Sequence, residues 1–124
     1  MDRNTLFYFY PRDNIPACTA QACGFRNHFS FFTNKNIKIL GVSGDRVQSH
    51  EKFSTKFLLP FPLLLDEKHE IRKAFGVGGE KKFMGRVFEE IHRTSILINE
   101  SGQIVKAYYQ VKAKNHPKEL VTKL

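Results

Sequence analysis

Leu6-Phe7-Tyr8-Phe9-Tyr10 is an unbroken apolar and aromatic run stopped by Pro11. A run of that length and β-favouring composition predicts a strand buried on both faces. Residues 11–17 hold two prolines with Asp13 and Asn14, a loop composition. Over residues 18–33, Ala22, Phe25, Phe29 and Phe32 recur at three- and four-residue spacing, which predicts a helix with one apolar face. Residues 37–42 alternate and then turn continuous, a second strand closed by Ser43-Gly44-Asp45. A second helix is expected over 46–57, with Val47, Phe53 and Phe57 facing inward. After Pro60 and Pro62, residues 63–65 read as a short strand, and 69–75 as a short helix with Gly76 at its C′ position. Residues 76–91, with four glycines, Lys81 and Lys82, read as a long loop. Asn99-Glu100-Ser101-Gly102 between residues 94–98 and 104–109 signals a β-hairpin, and 117–124 a terminal helix.

Strands alternating with helices, then a hairpin and a helix, predict an α/β fold. Its sheet is mixed and mostly parallel, with right-handed crossovers and helices on both faces. The 124 residues suit one domain, 1–124, and twelve Phe with four Tyr supply its core. The longest apolar stretch, 57–65, is broken by two prolines and is far short of a membrane span of roughly 20 residues. No secretory signal is read at the start, so a soluble cytoplasmic protein without a membrane partner is expected. The formal charge is +8, and residues 101–124 carry five lysines against one acid. These lysines lack accompanying arginines or aromatics, so they read as a solvated face and no nucleic-acid partner is expected.

Two cysteines, Cys18 and Cys23, are too few for a disulfide framework, and a close pair in a reducing compartment points to catalysis, redox sensing or metal binding. Cys18 falls where a loop runs into a helix. Backbone N–H groups of a first helical turn have no internal partners, and the macrodipole is positive there, so a thiolate is favoured. That makes Cys18 the better nucleophile. Residues i and i+5 of an α-helix have Cα atoms ~8–9 Å apart, whereas a disulfide wants about 7 Å or less. If the two sulfurs pair, the first turns must unwind. Other readings of these residues stay open: two inert core thiols, a Cys18, Cys23 and His28 zinc set that lacks a fourth ligand, or a sensor thiol oxidised without turnover.

Residues 7–26, Phe7-Tyr8-Phe9-Tyr10-Pro11-Arg12-Asp13-Asn14-Ile15-Pro16-Ala17-Cys18-Thr19-Ala20-Gln21-Ala22-Cys23-Gly24-Phe25-Arg26, closely resemble the active-site segment of the bacterioferritin-comigratory (PrxQ-like) peroxiredoxins. The likeness continues through Leu40-Gly41-Val42-Ser43-Gly44-Asp45, Leu63-Leu64-Leu65-Asp66-Glu67 and Gly79-Glu80-Lys81-Lys82-Phe83-Met84-Gly85 to Ile91-His92-Arg93-Thr94-Ser95-Ile96-Leu97-Ile98. It covers nearly the whole chain, although Glu90 stands where the family usually has a glycine. The N-terminal hairpin and first helix that family members carry before the first core strand are absent from this sequence, which is expected to be a shortened form.

The resemblance implies a thioredoxin-like fold and a thiol peroxidase acting on hydrogen peroxide and organic hydroperoxides. By it, Cys18 is peroxidatic, Cys23 resolves the sulfenic acid as an intramolecular disulfide, and thioredoxin or a similar dithiol reduces that bond. Arg93 matches the active-site arginine and Pro11 the proline that shields the thiolate. Ile15 occupies the substrate-binding position where the family has Thr or Ser, and it offers no hydroxyl. No cofactor and no metal are needed, and Gly76-Val77-Gly78-Gly79 fits neither a P-loop nor a dinucleotide fingerprint. A monomer is expected. The alternative is a degenerate peroxiredoxin-like redox-sensing or interaction module with little turnover.

Overall fold

The computed structural model describes residues 4–68, 70–74, 79–83, 86–90, 93–109 and 111–124. In chain order the elements are β1 (Asn4–Phe9), α1 (Pro16–Asn27), α2 (Phe29–Asn34), β2 (Ile37–Ser43), α3 (Val47–Phe57), β3 (Leu63–Leu65), α4 (Glu70–Ala74), β4 (Gly79–Phe83), β5 (Arg86–Glu90), β6 (Thr94–Ile98), β7 (Ile104–Tyr108) and α5 (His116–Lys123). The main sheet has the order β3-β2-β1-β6-β7. β1 lies parallel to β2 and β2 to β3, while β6 runs antiparallel to both β1 and β7. The sheet is thus mixed, with its parallel part confined to the strands joined by helical crossovers.

Alternation along β1 assigns its side chains to two cores. Leu6 stands opposite Ile39 and Leu97, and with Tyr8 and Tyr10 it enters a large cluster. Ala22 and Phe25 of α1, Phe32 of α2, Phe53 of α3 and Leu120 of α5 complete that cluster. Phe9 and Ile96 point the other way, into a smaller cluster with Val42 and Ile98, against which Phe7 and Ile71 of α4 pack. Helices therefore contribute to both faces. A one-residue slip of β1 would exchange the two sets, so both cores fix the register. Phe25 is the hub of the large core, with ring centroids 4.7 Å from Tyr8, 5.7 Å from Phe32 and 6.5 Å from Phe61. Burying a side chain of that size contributes about 1.5–3 kcal/mol.

Two local features fix how α1 sits. A Cβ on Gly24 would lie 2.9 Å from Pro117 Cγ, so the close approach of α1 and α5 requires glycine there. His116, at the start of α5, is buried with its Nε2 2.8 Å from Ser95 Oγ. Burial and the nearby Lys123 push its imidazole down to about 4, so it is a neutral core ring at neutral pH.

Several expectations need correction. The helix expected over 18–33 starts at Pro16, a favourable N1 residue, and is interrupted at His28. The His28 backbone N–H and its Nδ1 both meet the Gly24 carbonyl, at 3.2 and 2.9 Å, and α2 starts afresh from the His28 carbonyl. Phe53 is buried and Phe57 packs against the core as expected, but Val47, expected inward, is 50% exposed, and α3 buries His50 as well. The expected loop 76–91 contains the two-stranded antiparallel ribbon β4–β5, with Lys82 opposite Val87. Its glycines argued for a loop, whereas the cross-strand ladder that makes it a ribbon is invisible to local composition. The predicted helix cap Gly76 lies outside the described residues, as does His69, while α4 forms between them with Ile71 and Arg72 N–H groups donating to the Asp66 carboxylate. The hairpin forms as expected, and Gly102 supplies its positive φ of 82°. Asn99 Oδ1 accepts from the N–H groups of Ser101 and Gln103, both at 3.0 Å.

Candidate active site

The chain leaves β1 at the sheet centre and must turn sharply to start α1. Tyr10 keeps one more sheet bond, its N–H donating to Val42 O at 3.1 Å. The loop then passes through Asn14, whose φ of 58° is a left-handed conformation that Asn tolerates. Ile15 is the N-cap of α1 and, lacking a side-chain acceptor, makes no cap hydrogen bond. Pro16 fills N1, which places Cys18 at N3 in the first turn, as the sequence suggested. The first turn holds no acidic residue, so nothing there offsets the positive end of the helix.

Cys18 is 1% exposed, and Arg93 Nη2 lies 3.1 Å from its Sγ. The other arm of the same guanidinium, Nη1, donates to Gln21 Oε1 at 2.9 Å. Arg93 sits immediately before β6, and its carbonyl accepts from Val111 N–H at 2.9 Å, so its backbone is held to the segment beyond β7. A cation and a helix N-terminus thus lie together beside this sulfur. Ile15 packs half-buried against the core that contains Cys18. Pro11 is exposed at the start of the same loop. Cys23 is half-buried further along the intact α1, and both cysteines are free. Among the described residues, no three His, Cys, Asp or Glu side chains gather as a metal site.

A second cluster anchors the loop. The buried Asp13 carboxylate accepts from Tyr10 Oη at 2.6 Å and Ser49 Oγ at 2.8 Å, and meets His50 Nδ1 at 2.7 Å. His50 Nε2 faces Leu64 O at 3.2 Å, and the Asp13 N–H donates to Asp45 Oδ2. Burial pushes the Asp13 carboxyl up, but hydrogen bonds from His50, Tyr10 and Ser49 outweigh it and hold it below the usual carboxylate range. Burial likewise pushes His50 down, and the Asp13 carboxylate more than reverses this, so the imidazole is raised. One carboxylate thus ties the loop before Cys18 to α3 and, through His50, to β3. A cavity of about 550 Å³, bounded by Asn14, Arg46, Lys52 and Lys56 among others, opens beside this clasp and does not include Cys18 or Arg93.

Sequence reasoning missed Gln21, Asp13 and His50 as members of the site. Gln21 was legible in principle, since i and i+3 share a helix face and Cys18 is the candidate nucleophile on that face. His50 stands three residues after Val47 and three before Phe53, on the face expected to be buried, and a lone polar residue there was the available signal.

A buried sulfur in the first turn of a helix with a guanidinium against it is an arrangement suited to nucleophilic thiol chemistry, which puts the chain in the class of thiol-dependent redox proteins. Comparison with known proteins narrows the class. Residues 2–107 match the AhpC/TSA family. Peroxiredoxin Bcp of Escherichia coli K12 is 41% identical over 114 residues, covering 92% of this chain and 73% of the relative. Peroxiredoxin Bcp of Bacillus subtilis is 40% identical over 119 residues, covering 96% and 76%. The bacterioferritin comigratory protein of Xanthomonas campestris, solved as trapped intermediate and ligand complexes bearing on its alkyl peroxide reduction, superposes with a TM-score of 0.94. Its identity is 34%, covering 98% of this chain and 78% of that one. The chain belongs to the AhpC/TSA family, among its Bcp/PrxQ peroxiredoxins of thioredoxin-like fold, and is a thiol-dependent peroxidase. Its reaction accordingly takes a peroxide substrate and a thiol reductant. Among the described residues, no helix is long and apolar enough to cross a membrane.

Proposed function

We propose that Cys18 is the peroxidatic sulfur of a single domain spanning 1–124, that Arg93 stabilises its thiolate and polarises the peroxide, and that Cys23 resolves the product. The Cys18 thiolate attacks one peroxide oxygen, an S–O bond forms and the O–O bond breaks. The electron pair leaves on the other oxygen, which takes a proton to give water or an alcohol. The Cys23 thiolate then attacks Sγ of the sulfenic acid; an S–S bond forms and the S–OH oxygen departs as water. A thioredoxin-type dithiol returns both thiols. Pro11 shields the sulfur, and Ile15 borders the place where the peroxide docks. Hydrogen peroxide and organic hydroperoxides both fit, the latter in keeping with the alkyl peroxide activity of the Xanthomonas campestris relative. The protein acts as a cytoplasmic monomer without a nucleic-acid partner.

The single observation that carries this reading is the 3.1 Å contact between Arg93 Nη2 and Cys18 Sγ at the first turn of α1. Intact mass tests it. One equivalent of peroxide should remove two hydrogens from the native protein, whereas Cys23→Ser should gain one oxygen and go on to over-oxidised forms. Cys18→Ser should consume no peroxide. If Cys18→Ser stays active and Cys23→Ser does not, the two roles are exchanged. Ile15, without a hydroxyl, favours a second reading as a redox sensor with little turnover. Peroxide-dependent NADPH consumption with thioredoxin and its reductase separates the two.

A further inference from the structure

Gln21 is 0% exposed and holds the second arm of the arginine that touches the reactive sulfur. A guanidinium has donors and no acceptor, so the amide oxygen of Gln21 must face Arg93 and its NH₂ group must point away. That NH₂ group, Nε2, is buried and has no hydrogen-bond partner among the described residues. A buried donor without an acceptor costs free energy and calls for a reason. Cys18 and Gln21 are neighbours on one face of α1 at i and i+3, and Arg93 bridges them. The reaction itself creates an acceptor on this face of α1: the oxygen that oxidation attaches to Sγ, negatively charged if the sulfenic acid ionises.

We propose that Gln21 is a further catalytic residue, its Oε1 fixing Arg93 against Cys18 and its Nε2 donating a hydrogen bond to the oxygen transferred onto Sγ. The S–O bond forms as the O–O bond breaks, the leaving oxygen takes the proton, and Nε2 meets the oxygen that stays on sulfur. The donor is present before the reaction and unpaired, so no reorganisation is needed to supply it. This rests on Cys18 being the sulfur that takes up oxygen.

Two variants divide the amide's roles. Gln21→Glu keeps an acceptor for Arg93 but, ionised, has no donor; Gln21→Met keeps the length and has neither. Both should slow stopped-flow oxidation by hydrogen peroxide, up to about 10²–10³-fold, the range for removing one donor from an oxyanion hole. A merely positioning role would be rescued by Glu, so a Gln21→Glu protein as fast as the native one overturns the donor assignment. Should either variant fold poorly, the Gln21 side chain reports directly. In the Cys23→Ser protein treated with one equivalent of hydrogen peroxide, one Gln21 Nε2 proton should move downfield in the NMR spectrum as the sulfenic acid forms. Added oxygen in the intact mass with an unmoved amide overturns the proposal alone. No added oxygen overturns the assignment of Cys18 and the proposal with it.

Discussion

Replacing Ile15 by threonine separates helix capping from peroxide chemistry, because Ile15 is both the N-cap of α1 and a neighbour of the reactive core. Its φ of −82° and ψ of 142° are an extended N-cap conformation that threonine adopts readily. Pro16 has no N–H, so the N–H groups of Ala17 and Cys18 are the ones that a hydroxyl introduced at this position could satisfy. Such a cap is worth ~0.5–2 kcal/mol. Against it stands the loss of apolar contact by a half-buried isoleucine, about 0.8 kcal/mol per CH₂ removed from the core. The two nearly cancel, and the melting temperature should move by no more than about 4 °C, which for this size corresponds to roughly 1 kcal/mol. The chemical effect should be larger. A hydroxyl that accepts from the Cys18 N–H keeps its own proton free to donate toward the peroxide as charge moves onto the leaving oxygen. Aligned donors of that kind lower barriers by about 2.7–4 kcal/mol, or roughly 10²–10³ in rate. The assay is the second-order rate constant for thiol oxidation in stopped flow, with Ile15→Val as the control that is β-branched but has no hydroxyl. The threonine variant should be faster and the valine variant unchanged. A threonine variant as stable as the native protein and no faster refutes the reasoning.

Other outcomes follow from the same geometry. Oxidation to the Cys18–Cys23 disulfide should raise amide hydrogen exchange across residues 19–24, because sulfurs on Cα atoms ~8–9 Å apart cannot join across intact helix; unchanged protection in disulfide-bonded protein would refute the unwinding. Leu58 ends α3 in the left-handed conformation (φ 51°) with its side chain 79% exposed, so Leu58→Gly should relieve about 1–2 kcal/mol and raise the melting temperature. The Asp13–His50 pair gives a pH signature. His50 is raised by its partner, so its contribution is fully present below about pH 6.5 and is lost as pH rises through its folded-state value. Asp13 is lowered, so its contribution is present above about pH 4 and is lost as pH falls through its folded-state value. His50→Asn, which keeps a donor but never a charge, should be less stable than the native protein between these limits. The gap should close in alkali, and a gap that stays constant there would show that His50 carries no charge.

The sequence alone determined the elements that local chemistry encodes. The aromatic run of β1, the Asn99–Gly102 turn and the helix starting beside Cys18 each follow from side-chain pattern, because burial period, turn conformation and helix-end dipole are properties of contiguous residues. It also carried both cysteines and, through family likeness, Arg93. Tertiary structure alone decided what meets across long separations. The 3.1 Å approach of Arg93 to Cys18 joins residues 75 positions apart, and Asp13 with His50 joins residues 37 apart. Val47 and His50 share a face of α3, and only the tertiary fold decides that His50 is buried against the Asp13 carboxylate while Val47 stays half exposed, since an unpaired buried charge costs more than an exposed valine. The same holds for β4–β5, where pairing between strands overrides glycine-rich composition. Local sequence sets which groups are available, and the free energy of satisfying buried charge and backbone hydrogen bonds sets which of them touch.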